Sequence, residues 1–217
     1  MALSSSEHPG SGPLAAGVDL HWLPLGVRGR WLRIVGRAYE SISAWHSRRT
    51  PLDLYHSVLE IRTRAGRFVI EMGPAVDDDG DRRGVVGVGS VAASWLRALR
   101  PLRYEVRCWS DGITATAFAV DGPRHLTDDV EVAESILEIV HAVPTPAWGR
   151  DELATGEMWT CNSLTSWLLT QVGLEGTVRP PAGGRAPGWR AGLVASRHQQ
   201  TRSRRRLLAV PWLAVAR

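Results

Sequence analysis

The chain has 217 residues, 44% of them hydrophobic and 22% charged, which suits one globular domain with a core of useful size. All 26 basic residues are arginine, so chemistry that needs a lysine amine, in a Schiff base or a phosphate loop, is excluded. Net charge is only +4 against 22 acids, and two cysteines are too few for a disulfide framework.

In chain order, MALSSSEHPGSGPLAAG has neither a basic start nor a continuous apolar stretch. It is expected to be a disordered leader over 1–17, not a signal peptide. Order is expected from Val18, and RWLRIVGRAYESISAWHS reads as partly helical. LDLYHSVLEIRT alternates as a strand does, with Leu54, His56, Val58 and Glu60 on one face and Tyr55, Leu59 and Ile61 on the other. RAGR is a turn and FVIEM the returning strand. With Ala65-Gly66 as a two-residue turn, Glu71 faces Glu60 across the hairpin. SVAASWLRALR reads as a short helix stopped by Pro101, and LRYEVRCW as a strand. LTDDVEVAESILEIVHAV is a longer helix capped by Thr127 or Asp128. TCNSLTSWLLTQV is the next helix, closed by Gly173, and RAGLVASR reads as a last strand. The whole is an α+β domain over 18–197 with an antiparallel sheet, followed by a basic tail over 198–217. No apolar run approaches the ~20 residues of a membrane span, and a cytoplasmic location is expected.

Chemistry centres on two residues. Thr160 can cap the helix and leave Cys161 in its first turn, where free N–H groups and the helix dipole stabilise a thiolate. Leu164, Leu168 and Val172 follow at helical spacing, so Cys161 lies on the packing face. An inert, buried cysteine fits that position as well as a nucleophile does. His56 is the histidine best placed on a sheet to act as a base, although a packed imidazole fits there too.

The motifs LYHSVLEI, GRFVIEM and MWTCNSLTSWLL together resemble the permuted papain-like, NlpC-related cysteine peptidases, amidases and acyltransferases. In that superfamily the histidine precedes the cysteine. The resemblance spans roughly residues 50 to 175, and the arginine-only composition fits a bacterial branch from a high-GC genome. It implies a permuted papain-like core, an antiparallel sheet packed against a helix that starts at the cysteine. Cys161 would attack an acyl carbon, His56 would carry the proton, and Glu71 would orient the imidazole. Trp159 and Asn162 would line the cleft. The substrate would be a small molecule, peptide or acyl-bearing compound, and no cofactor or metal is implied. The alternative is a catalytically silent domain of the same fold that binds a ligand or protein.

Other motifs are weaker. Gly87-Val88-Gly89-Ser90-Val91-Ala92 has a dinucleotide-type spacing, but the flanking elements are too short for it. Asp77, Asp78, Asp79 and Asp81 do not have EF-hand spacing and read as a solvated loop. No histidine–cysteine cluster has zinc spacing. The basic run RHQQTRSRRR at 197–206 reads as solvated, which makes nucleic acid an improbable partner.

Overall fold

The computed structural model describes residues 15–25, 40–41, 44–45, 47–75, 84–110 and 118–208. Residues 1–14 of the leader expected over 1–17, most of RWLRIVGRAYESISAWHS, the acidic run Asp77–Asp81 and residues 209–217 lie outside them, and Gly17, the last residue of the expected leader, already belongs to the first strand. Seven strands form the sheet: β1 (Gly17–Pro24), β2 (Asp53–Thr63), β3 (Gly66–Pro74), β4 (Val85–Ser90), β5 (Arg103–Ser110), β6 (Arg124–Thr127) and β7 (Gly184–Arg185). Their order is β4-β5-β3-β2-β1-β6, with β7 beside β2. Every pairing is antiparallel except that of β7 with β2. Three α-helices stand among the described residues: α1 (Val130–Ile139), α2 (Cys161–Gln171) and α3 (Trp189–Leu208). The α+β class and the antiparallel sheet are as expected.

Alternation along the central strands builds two buried faces. Val18, Leu20 and Trp22 of β1 lie opposite Ile61, Leu59 and Ser57 of β2. With Ile70 and Met72 of β3 and Tyr104 and Val106 of β5 they form the main core, closed by Ile136, Leu164, Trp167 and Leu168 from the helices. The other face carries Leu23, Val58 and Val69, packed with Trp109 and Ala119. Each face of a strand pair shares its residues by cross-strand register, so this assignment follows from the pairing itself.

Several elements differ from expectation, each for a local reason. The β2–β3 turn is Arg64-Ala65, with Thr63 opposite Gly66 and Glu60 opposite Val69. VVGVGS is a strand, and SWLRA after it makes only a 3₁₀ turn. Trp95 and Leu99 there are exposed, so these two apolar residues do not anchor an α-helix on the body of the protein. Asp129 caps α1, its Oδ1 accepting from Glu131 N at 2.8 Å and Val132 N at 3.3 Å. RAGLVASR is helical, part of α3. Its Ala191, Gly192, Ala195 and Ser196 are small and buried, which lets α3 lie close on α2. The helix runs through residues 198–208, the first half of the expected tail.

Candidate functional site

Thr160 caps α2 as expected. Its Oγ1 accepts from Asn162 N (3.2 Å), while Ser163 Oγ accepts from Thr160 N (2.9 Å), a capping box with serine in the returning position. The two hydroxyls also donate outward, Thr160 Oγ1 to Pro187 O (2.6 Å) and Ser163 Oγ to Gly188 O (2.7 Å). The first turn is thereby tied to the segment that leads into α3. Cys161 sits in this turn, buried in the main core at 5% exposure.

Asn162 is buried and saturated. Its Oδ1 accepts from Ser57 N (3.0 Å) and Ser57 Oγ (2.8 Å). Its Nδ2 donates to Tyr55 O (2.9 Å) and Pro187 O (3.1 Å). Ser57 Oγ also lies 2.9 Å from Thr165 Oγ1. These bonds fasten α2 to β2, and they leave Asn162 no free donor or acceptor for a substrate. Trp159 is likewise enclosed, at 1% exposure, beside the buried Tyr104 hydroxyl, which donates to Pro146 O (2.7 Å). Asn162 is a piece of the interior, contrary to the sequence expectation, whereas buried Trp159 borders a shallow pocket with Pro146, Arg150, Glu157 and Ala191, whose lining does not include Cys161.

Ser57 is thus the β2 residue that meets the first turn of α2. His56, its neighbour, projects from the opposite face, opposite Leu23 of β1 in the register and on the side of the Val58–Val69 cluster. Cys161 and His56 therefore have the sheet between them, and the structure does not bring the expected dyad together. Glu71 lies one residue beyond the last β2–β3 pair, Leu59–Ile70, on the His56 face and opposite Arg107 of β5. The shifted register brings Glu71 nearer His56 than the expected turn would, about 7 Å along the strands instead of about 14 Å. Both stand on the face away from the thiol.

That second face carries a charged network which sequence reasoning passed over. Arg62 bonds Asp19 and lies 3.4 Å from Glu60. Arg67 Nη2 donates to Glu60 Oε2 at 2.8 Å, and His125 Nδ1 is 2.8 Å from Asp19 Oδ1. Burial pushes the Asp19 and Glu60 carboxyls up, but the guanidiniums more than offset it, and both end below the usual carboxylate range. Buried His21 has Nε2 3.5 Å from Glu60 Oε2, without hydrogen-bond geometry at either ring nitrogen. Burial lowers its pKa against the pull of Glu60 and Asp19. The signal for this network was present in VDLHWL, where Asp19 and His21 alternate with Val18, Leu20 and Trp22.

The remaining motifs have structural explanations. Gly89 lies in β4 under the Tyr104 ring, where a Cβ would stand 2.1 Å from a ring carbon, so its missing side chain makes room for an aromatic and not for a phosphate. The other thiol, Cys108, is pushed up to about 11 by burial. No group of three or more metal-ligating side chains occurs among the described residues. No helix among them is long and apolar enough to cross a membrane. No protein-family model, curated protein or solved structure matches the chain.

Proposed function

We propose that this chain is a catalytically silent binding domain. It uses the layout implied by the permuted papain-like resemblance, a sheet packed on a helix that starts at a cysteine, as a scaffold without thiol chemistry. One observation carries the reading: the β2 residue facing the start of α2 is Ser57, locked to Asn162, while His56 faces the other way. A cysteine nucleophile needs a base within hydrogen-bond reach to form its thiolate and to return the proton. The residues around Cys161 are instead committed to one another. Recognition is the role left to the scaffold, and exposed Trp95 and Leu99 are side chains suited to it.

Turnover of an activated ester tests this. The wild-type chain, Cys161→Ala and His56→Ala are expected to hydrolyse p-nitrophenyl acetate at the same non-saturating background rate. Saturable turnover lost in both variants would restore the enzyme reading.

A further inference from the structure

Charge is unevenly divided along this chain. After Glu175 there is no acid, yet nine of the 26 arginines follow it. Five guanidiniums elsewhere are paired with carboxylates: Arg49 and Arg185 with Glu40, Arg62 with Asp19, Arg67 with Glu60, Arg107 with Glu105. Those on α3 are not. Arg190, Arg197, Arg202, Arg204 and Arg205 are exposed; Arg190 N donates to Glu157 Oε2 (3.0 Å), but none of the five guanidiniums pairs with a carboxylate among the described residues.

Helix geometry gathers these charges. Arg190, Arg197 and Arg204 recur every seven residues along one stripe, with Arg205 and His198 about a quarter-turn round the helix from it, while Arg202 lies on the azimuth of Ala191 and Ala195, beyond the end of α2. The stripe is about 21 Å long at ~1.5 Å per residue. The other side of α3 carries Ala191, Gly192, Ala195 and Ser196, which are buried. Contact with α2 ends near Gln200, whose Nε2 lies 3.5 Å from Thr170 O and 3.4 Å from Gln171 Oε1. From Thr201 to Arg205 every residue is exposed, and these turns project past α2 with no packing recorded against them among the described residues. Arg202 and Arg205, three apart, repel each other. The helix dipole favours cations in the last turn only, and it disfavours Arg190 in the first. These exposed guanidiniums are open to an external anionic surface.

We infer that the arginine face of α3 docks this protein on an anionic lipid surface. The sequence next to the face selects lipid over nucleic acid. The basic run leads directly into LLAVPWLAVA, ten apolar residues including Trp212. Hydrocarbon and a headgroup layer accept such a segment and its tryptophan, whereas a phosphodiester backbone offers it nothing. Clustered arginines supply the electrostatic part of the attraction.

Co-sedimentation of the full chain with vesicles tests the inference. Binding is expected to phosphatidylserine-containing vesicles and not to pure phosphatidylcholine, and it should weaken as salt is raised. The triple variant Arg202→Gln, Arg204→Gln, Arg205→Gln should lose on the order of 100-fold in partitioning, at about five-fold per arginine. Circular dichroism checks that the variant keeps its fold, and Arg64→Gln in the distant β2–β3 turn is the control expected to bind normally. If the triple variant does not fold, the vesicle comparison and salt series on the wild-type chain decide alone. Equal binding to neutral and anionic vesicles, or none to either, overturns the inference. So does tighter binding to a DNA duplex than to the anionic vesicles at the same salt.

Discussion

Ser57 and Asn162 fasten the first turn of α2 to β2, so the β2 side chain that meets this turn is a bonded serine and not a histidine. Asn162 makes four hydrogen bonds, to Ser57 N, Ser57 Oγ, Tyr55 O and Pro187 O. Truncation to alanine strands several buried backbone groups at once. Asn162→Ala is expected to lower the unfolding free energy by about 3 kcal/mol, since each unsatisfied buried group costs roughly 1–3 kcal/mol. Urea denaturation measures it, and a loss within about 0.5 kcal/mol, as for an ordinary surface change, would refute the clamp. The alternation of His56 with Tyr55 was legible in the sequence. Which of the two faces meets the helix was not, because both faces of β2 are apolar: Val58 is as buried as Leu59. A one-residue difference moves a side chain through the sheet, so the pairing of His56 with Cys161 failed by a single pleat position.

At the scale of elements, the α2–α3 pair depends on small residues. A Cβ on Gly192 would lie 2.0 Å from Ser166 Oγ and 2.1 Å from Ser163 O. The second contact is backbone, so side-chain rotation cannot relieve it and the helices must part. Gly192→Ala is expected to destabilise by about 2 kcal/mol despite the better helix propensity of alanine. A gain in thermal midpoint would show instead that α3 is loosely seated. The hairpin and the helix capped by Thr160 were legible because alternation and capping are local signals. RAGLVASR was not, because its helical form depends on a close approach to Ser163 and Ser166 distant in sequence. The hairpin register was missed by two residues because Arg64-Ala65 and Ala65-Gly66 are equally plausible turns from composition alone.

For the whole molecule, the charged network beneath the sheet gives stability a dependence on pH. His21 has a folded pKa below its unfolded value, so the unfolded chain takes up the proton first. Its contribution is present at neutral pH and is lost as pH falls below the ordinary histidine value of about 6.5. Asp19 and Glu60 have lowered carboxyl pKa values, so theirs is present above the ordinary carboxylate range of about 4 and lost on further acidification. Exposed His125, raised first by its bond to Asp19, works in the opposite sense and contributes below about 6.5. The urea midpoint should therefore fall in two stages on acidification, and His21→Gln should remove the first while leaving the second. If the first stage persists in that variant, His21 is not its source. The central claim, that the sheet separates the thiol from the imidazole, is tested most directly by the rate at which iodoacetamide alkylates Cys161 in a Cys108→Ala background at neutral pH. The expected rate is set by opening of the fold, rises with sub-denaturing urea and is unchanged by His56→Ala. Rapid alkylation without urea, slowed by His56→Ala, would contradict it.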